Sequence, residues 1–243
     1  TLVQDDVVHQ ATIRRYQASV NTRWNNTDAV LLGDIIFARA INLLASLRNH
    51  RALDLLTSCV STICEGEIHQ NSLCHQIAVD EATYLGIIRS KTASLYAAAC
   101  ELAAPFSGVR PELVDAFSQY GTSLGTAFQI IDDCLDVSGE EAVVGKSLGT
   151  DVTNGKMTLP IIHLLARLDG AERLRVEDML KNGRQGPDLN LRELLAEHGS
   201  LEFALNRARR LVDDALARLA KLLDPGAYTV VESIAHFVVN RHL

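Results

Sequence analysis

The sequence is poor in aromatic residues, proline and basic charge, and each shortage narrows what the chain can be. Aromatic residues make up 5% of the 243 positions, and only 5 prolines occur. The apolar 47% is therefore mostly Ala, Leu, Ile and Val, which favours long helices that no proline interrupts. The net charge of −7 argues against a nucleic-acid-binding protein, which needs a concentrated basic surface.

The cysteines lack the spacing of a metal site or of a disulfide framework. There are 5 of them, an odd number, and no CxxC pair occurs. Most lie in apolar, helical contexts, so we interpret them as buried thiols in a reducing compartment. The sequence therefore predicts a cytoplasmic protein without a cysteine-bound zinc ion.

No signal peptide and no uncharged membrane-spanning run are visible. The most apolar stretch, residues 29–47, contains Asp34 and Arg39. We interpret it as a buried helix or a subunit-contact helix rather than a membrane span. The opening residues Leu2 and Val3 resemble the interior of a buried helix without a clear cap, which predicts that sequence is missing upstream.

Apolar periodicity predicts helices through most of the chain, and strand alternation is absent. A loop is expected at 139–154, and a polar connector at 182–190. The predicted helices cover residues 29–47, 53–70, 80–102, 111–137, 158–168, 191–223 with a break at Gly199, and 228–240.

The strongest chemical feature is an acidic cluster within an apolar helix, formed by Asp132, Asp133 and Asp136. Asp132 and Asp136 are four residues apart and share a helix face. Carboxylates this close repel one another, and a bound cation relieves that repulsion. Ligation by oxygen alone suits Mg²⁺, with Mn²⁺ as an alternative. The competing interpretation is a solvated acidic helix face.

A second acidic cluster contains Asp5, Asp6 and His9, and is followed by Arg14 and Arg15. Alone, such a group is usually a solvated surface. Together with the downstream cluster it suggests two acidic sites that hold metal ions, with arginines suited to bidentate phosphate contacts.

Three lysines are candidates for binding an anion. Lys146 and Lys156 each follow a glycine, which lets the backbone approach a ligand closely. Lys91 has no such local signal, and surface lysines are the commoner interpretation for all three.

In this order, the motifs resemble the trans-type polyprenyl synthetases, and in particular their long-chain members, over essentially the whole chain. Each motif alone is weak, whereas the ordered set is specific. The matching segments are Asp5-Asp6-Val7-Val8 with Arg14-Arg15, Trp24, Gly33-Asp34, Ala38-Arg39, Glu65-Gly66-Glu67 with Gln70, Lys91-Thr92, Phe128-Gln129 with Asp132, Asp133 and Asp136, Gly145-Lys146, Gly149, Asp151, and Gly155-Lys156 with Thr158-Leu159-Pro160.

The resemblance implies an all-α fold, a large helical bundle around a central cavity, and usually a homodimer. Residues 1–243 would then form one polyprenyl synthetase-like domain, truncated at its N-terminus. The implied enzyme is an Mg²⁺-dependent prenyltransferase that condenses isopentenyl diphosphate with an allylic diphosphate into a medium- or long-chain trans-polyprenyl diphosphate.

The resemblance also implies roles for individual residues. The metal ligands would be Asp5, Asp6, Asp132, Asp133 and Asp136. The diphosphate contacts would be Arg14, Arg15, Lys91, Thr92, Gln129, Lys146 and Lys156. The residues closest to the chemistry would be Lys91, Phe128, Gln129 and Lys146. Thr1, one turn before Asp5, is small, which favours a long product because a bulky aromatic there would block the growing chain.

Three departures from the family pattern cluster at the first acidic motif. His9 replaces the third aspartate, Gln4 replaces a common histidine, and Tyr16 replaces the glycine that follows the arginine pair. A neutral imidazole is a poorer Mg²⁺ ligand than a carboxylate. A non-catalytic subunit of a heteromeric prenyltransferase is therefore the second hypothesis, and a class I terpene cyclase the third.

Overall fold

The protein is almost entirely helical in its computed structural model, which describes residues 1–14, 16–106, 110–138, 150–182 and 189–241. This confirms the predicted fold class. The helices are α1 (Leu2–Val8), α2 (Val20–Arg23), α3 (Asn26–Ser46), α4 (His50–Ser72), α5 (Glu81–Ile88), α6 (Ser94–Phe106), α7 (Pro111–Ser138), α8 (Thr150–Thr153), α9 (Leu159–Leu165), α10 (Gly170–Asn182), α11 (Leu191–Glu197), α12 (Ser200–Leu219) and α13 (Pro225–Val239), with a π-helical turn at Arg89–Ala93 and two short strands, β1 (Ile13–Arg14) and β2 (Gln17–Ala18).

The chain divides into two compact units. The first comprises Thr1–Thr57 with Gly139–Leu148, and the second comprises Ser58–Ser138 with Gly149–Leu243. The segment 139–148 lies outside the described residues. That residues 1–243 form one domain stays a prediction, and each unit is described by itself below.

The first unit begins with a short helix that is well capped. The Thr1 side chain accepts a hydrogen bond from the Gln4 backbone N–H, and the Gln4 side chain bonds back to Thr1, which makes a capping box. Leu2 is 57% exposed. Thr1 thus supplies the cap that the sequence left unclear, and Leu2 is exposed rather than buried.

A tight hairpin of β1 and β2 follows, with Arg14 paired to Gln17. Strands of two residues are too short to show alternation, which explains why the sequence did not reveal them. Tyr16 lies in the turn with φ of 62°. Glycine adopts this left-handed conformation easily, whereas a side chain makes it costly. Tyr16 thus stands at a position whose backbone suits the glycine of the family pattern.

The long helix α3 exposes much of its apolar surface. Its buried residues are Ala29 and Gly33, whereas large apolar side chains such as Leu31, Ile35 and Leu43 are at least half exposed. By length and composition alone, α3 is the one helix among the described residues that meets the requirements for crossing a membrane. That criterion is also met by helices of soluble proteins, so the prediction of no membrane span stays a prediction.

The core of the second unit is centred on α7, which packs against α6 on one side and α12 on another. The middle of α7 is buried around Ile130 and Ile131, and residues Leu159 to Leu165 of α9 contribute further fully buried side chains. From Tyr120 to Ser138 every position of this helix is buried or half-buried. The acidic cluster is therefore carried by the central helix of the unit.

Two features of the second unit differ from the sequence-based prediction. The predicted helix 80–102 is interrupted by the π-helical turn Arg89–Ala93. Helix α10, Gly170–Asn182, was not predicted, because it is strongly polar and buries only three side chains, Val176, Met179 and Leu180. A stripe this narrow gives a weak periodic signal.

Candidate active site

The acidic cluster of α7 does not present three equivalent carboxylates. Asp136 is 3% exposed and Asp133 is 5% exposed, whereas Asp132 is partly exposed. One oxygen of Asp136, Oδ2, accepts a hydrogen bond from the backbone N–H of Asp151 at 3.1 Å. The helix α8, which begins at Thr150, thus contacts the cluster through its first turn.

Asp133 is held inside the protein by a chain of hydrogen bonds. Tyr84 Oη donates to its Oδ2 at 2.6 Å, and Gln129 Nε2 donates to its Oδ1 at 2.7 Å. Thr92 Oγ1 in turn donates to Gln129 Oε1 at 2.8 Å. Burial and then repulsion from Asp151 raise the pKa of Asp133 to about 7, although the two donors oppose the shift.

Lys91 lies on the π-helical turn and faces α4. Its Nζ is 2.7 Å from Glu67 Oε2 and donates a hydrogen bond to Gln70 Oε1 at 2.8 Å. The turn packs so closely on α4 that a Cβ at Gly66 would lie 2.7 Å from the Lys91 backbone nitrogen. A glycine is therefore required at this position of α4 for Lys91 to reach Glu67.

Lys156 follows Gly155, which is the second position near the site where the structure requires glycine. Its Nζ lies 2.9 Å from Asp151 Oδ1, with both side chains largely buried. Burial lowers the pKa of Lys156, but attraction to Asp151, and also to Asp133 and Glu67, outweighs it and the net shift is upward. The lysine is thus held charged, close to the carboxylates of α4 and α7.

The segment that carries Lys156 is fixed by His75. The His75 backbone N–H donates to the Gly155 carbonyl at 2.8 Å, and its Nδ1 lies 2.9 Å from the Leu180 carbonyl oxygen. Gly155 has φ of 64°, and a Cβ there would lie 2.3 Å from His75 Nδ1. Both the backbone conformation and the close contact therefore require glycine.

Phe128 contacts both an aromatic ring and a cation. Tyr96 lies 5.7 Å from it between ring centroids, and the Arg241 guanidinium carbon lies 4.6 Å from its centroid. Arg241 Nη1 is buried and makes no hydrogen bond within the described residues. Sequence reasoning missed Arg241, because a single arginine after the last helix carries no motif signal.

The acidic cluster of the first unit is paired with Arg14. Arg14 Nε lies 2.6 Å from Asp6 Oδ1, and Nη2 lies 2.8 Å from Asp5 Oδ2. His9 Nε2 lies 3.4 Å from the other oxygen of Asp5. Asp5, Asp6 and His9, which the sequence predicted to act together, are therefore linked in one group, because His9 contacts Asp5 and Arg14 bonds to both acids.

Two predicted site residues, Arg15 and Lys146, lie outside the described residues. Within the second unit, the structure brings together the other predicted residues of that unit through α4, the π-helical turn, α7 and the segment 151–156. Each predicted diphosphate-binding cation among the described residues is paired with a carboxylate: Arg14 with Asp5 and Asp6, Lys91 with Glu67, and Lys156 with Asp151. The ion pairs hold these side chains in position and neutralise most of their charge. Such a site suits an anion that binds together with metal ions.

The family model described as polyprenyl synthetase matches residues 1–197. The chain belongs to the polyprenyl synthetase family. It is 35% identical over 243 residues to the octaprenyl diphosphate synthase of Escherichia coli K12, which covers 99% of this chain and 75% of that protein. It is 36% identical over 241 residues to the all-trans-nonaprenyl-diphosphate synthase of Rhodobacter capsulatus, which covers 99% of this chain and 74% of that protein.

A solved structure shares the fold as well as the sequence. The polyprenyl synthase from Caulobacter crescentus CB15, complexed with calcium and isoprenyl diphosphate, superposes with a TM-score of 0.94 at 35% identity. The match covers all of this chain and 74% of that one. These relatives confirm the family resemblance, the all-α isoprenoid synthase fold and the assignment as a prenyltransferase.

Proposed function

We propose that this polyprenyl synthetase condenses isopentenyl diphosphate with an allylic diphosphate to give a medium- or long-chain trans-polyprenyl diphosphate. The observation that carries the proposal is the linkage of Thr92, Gln129 and Asp133 in one hydrogen-bonded group within the acidic cluster of α7. Lys91 adjoins that group on the π-helical turn. The octaprenyl and nonaprenyl products named for its relatives support the same class of product.

The donor set of α7 fits a magnesium ion. Asp132 and Asp136 offer carboxylate oxygens four residues apart on one helix, and hard oxygen donors are what Mg²⁺ prefers. We place Mg²⁺ at Asp132 and Asp136, with Mn²⁺ as a substitute. When bound, the metal would neutralise charge on the departing diphosphate. Asp133 is a weaker candidate ligand, because both of its oxygens accept hydrogen bonds from the protein.

The diphosphate itself would be held by side chains of the second unit. We assign Lys91, Thr92, Gln129 and Lys156 as its contacts, together with Lys146 by resemblance alone. Lys91 and Lys156 present preoriented ammonium groups, and the amide nitrogen of Gln129 carries a second N–H donor besides the one that reaches Asp133. We add Arg241, since its buried guanidinium nitrogen suits an anionic ligand.

The reaction needs little proton transfer from the protein. The positively charged side chains stabilise the negative charge that develops as the allylic carbon–oxygen bond breaks. The isopentenyl double bond then attacks the allylic cation, a proton leaves, and the released diphosphate accepts it. The ring of Phe128, already positioned by Tyr96, would hold the reacting double bond and stabilise positive charge through its π face.

The acidic cluster of the first unit is proposed as a metal position of its own. We assign Asp5 and Asp6 as ligands, with Arg14 and Arg15 as diphosphate contacts. The mixed set of a carboxylate and an imidazole at Asp5 and His9 suits Mg²⁺ less well than the pair on α7. We therefore expect a high metal requirement rather than an absent one.

The protein is proposed to act as a cytoplasmic homodimer. The exposed apolar residues of α3 support a subunit contact, since a monomer rarely exposes so much apolar surface. All five cysteines are free thiols, but only Cys59 and Cys134 are buried, so the interpretation of the cysteines as buried thiols was right for those two alone. A reducing compartment stays a prediction.

A non-catalytic subunit of a heteromeric prenyltransferase is the second candidate, and the Asp5–His9 pair is the observation that favours it. The two candidates differ in what the protein does alone. A non-catalytic subunit would not elongate a primer without its partner.

Turnover of radiolabelled isopentenyl diphosphate tests the proposal. The purified protein, supplied with Mg²⁺ and a fifteen-carbon allylic diphosphate, should extend the primer, and chromatography of the dephosphorylated products should show chains beyond twenty carbons. Asp132→Ala should abolish this turnover with helicity unchanged by circular dichroism. A dominant product of twenty carbons or fewer would refute the chain-length assignment, and full activity of Asp132→Ala would refute the metal assignment.

A further inference from the structure

We infer that Tyr84 and Asp133 are positioning residues, which together fix the side-chain amide of Gln129 for diphosphate binding. The inference deepens the proposed function and rests on it, since it concerns the contact assigned to Gln129. Neither the family motif nor the sequence patterns gave Tyr84 a role.

The argument begins with the burial of the two side chains. Tyr84 is 2% exposed and Asp133 is 5% exposed, although both carry polar groups. A buried hydroxyl and a buried carboxylate each lose hydration, and their 2.6 Å hydrogen bond replaces it. The hydrogen bond therefore holds both side chains in place inside the second unit, and it is not a surface contact.

The direction of the hydrogen bonds then follows from chemistry. A carboxyl oxygen that carries no proton only accepts hydrogen bonds, and Gln129 Nε2 donates to Asp133 Oδ1. Gln129 therefore presents its NH₂ group to Asp133 at 2.7 Å and its carbonyl oxygen to the Thr92 hydroxyl at 2.8 Å. With the acceptor removed, the two amide orientations would be nearly equivalent, and half of the molecules would present a carbonyl oxygen where a donor is needed.

The same geometry separates Asp133 from its neighbours on α7. Its two oxygens bind Tyr84 and Gln129, whereas Asp132 is partly exposed. A metal ion at Asp133 would compete with these two hydrogen bonds. We infer that Asp133 acts through Gln129, and that Asp132 and Asp136 alone serve as the metal ligands of this helix.

Tyr84→Phe is the sharpest variant, because it removes one oxygen and keeps the ring. Tyr120→Phe is its matched control, since Tyr120 is 4% exposed in the same unit and its hydroxyl donates to the Val231 carbonyl at 2.7 Å. Tyr84→Phe should lower kcat/KM about 10- to 100-fold, as expected when a supporting hydrogen bond is lost. Tyr120→Phe should change it less than about twofold, even if both variants lose similar thermal stability.

A double-mutant cycle distinguishes positioning from a general structural effect. If Tyr84 acts through Gln129, then Tyr84→Phe should have almost no further effect on kcat/KM in the Gln129→Ala background. Equal effects of Tyr84→Phe in both backgrounds would overturn the inference. Asp133→Asn provides the same cycle if Tyr84→Phe does not fold.

Binding of an unreactive allylic thiolodiphosphate, titrated with Mg²⁺, gives a readout that does not depend on turnover. Asp132→Asn should raise the Mg²⁺ concentration for half-saturation, whereas Tyr84→Phe and Asp133→Asn should weaken binding without changing that concentration. A raised Mg²⁺ requirement in Asp133→Asn would identify Asp133 as a ligand and overturn the inference. If the wild type does not bind the analogue, the proposed function and the inference both fail. If the wild type binds and Tyr84→Phe binds equally well, the inference alone fails.

Discussion

Lys156 and Asp151 form a largely buried ion pair, with 2.9 Å between Nζ and Oδ1. Because each charge has lost most of its hydration, each is stabilised by the other, and removing one weakens the compensation of the charge that remains. Lys156→Ala should lower the free energy of unfolding by about 3 kcal/mol, measured by urea denaturation.

Lys181→Ala is the control for that prediction. Lys181 Nζ is 3.9 Å from Glu177 Oε2, and its side chain is 57% exposed. An exposed pair contributes little, so the loss should stay below about 0.5 kcal/mol. Equal losses in the two variants would show that burial does not strengthen the Lys156 pair.

Gly155→Ala should destabilise the protein by about 2–4 kcal/mol, because it combines the strain of a positive φ with a collision against His75. Gly199→Ala separates the two causes. Gly199 also has a positive φ, 62°, but a Cβ there would meet nothing within 4 Å, so only about 1 kcal/mol should be lost. Urea denaturation of both variants measures the difference, and a Gly155 variant no less stable than the Gly199 variant would argue against the His75 contact.

Tyr16→Gly should stabilise the protein by about 1 kcal/mol, because Tyr16 has φ of 62° and glycine adopts that conformation without strain. Its side chain is mostly exposed, so little packing is lost. Gln17→Gly, in the adjacent strand β2, should instead destabilise by up to about 1 kcal/mol. The midpoint temperatures of thermal denaturation should therefore shift in opposite directions in the two variants. A lower midpoint in both would contradict the strain argument.

His9→Asp should lower the Mg²⁺ concentration for half-maximal turnover several-fold, since a carboxylate replaces an imidazole next to Asp5. Gln10→Asp adds the same charge one residue further along, away from the face shared by Asp5 and His9. The control should leave the requirement nearly unchanged. If both variants lowered it equally, the effect would be one of general charge rather than of ligation.

The exposed apolar residues of α3 should mediate dimerisation. Leu43, which is 68% exposed, is suited to the test, and Leu43→Glu should convert a dimer into a monomer in sedimentation velocity at micromolar concentration. Leu174→Glu is the control, because Leu174 is similarly exposed at 66% but lies on α10 of the second unit. A monomeric wild type, or a wild type that sediments only with lipid vesicles, would contradict the dimer.

The sequence predicted the long elements well because their signals are long. The 28-residue helix α7 and its acidic cluster combine a long apolar pattern with the four-residue spacing of Asp132 and Asp136. The sequence analysis missed α10, which buries only three side chains, and it missed the hairpin at Tyr16, whose strands are two residues long. The spacing of Asp132, Asp133 and Asp136 located the site, but it did not predict which neighbour each side chain faces. That Asp133 faces Tyr84, 49 residues earlier, depends on helix packing, which local periodicity does not encode.

The π-helical turn at Arg89–Ala93 constrains the number of residues in this segment more than their types. Such a turn holds one more residue than an α-helical turn, and each residue advances an α-helix by about 100°. Deleting a single residue there would allow a continuous helix from Glu81 to Phe106, but it would shift the remaining side chains of the turn around the helix axis by up to about that angle. Lys91 and Thr92 would then point away from Gln70 and Gln129 with every side chain of the site still present. Insertions and deletions in this segment should accordingly be tolerated far less than substitutions at its exposed positions.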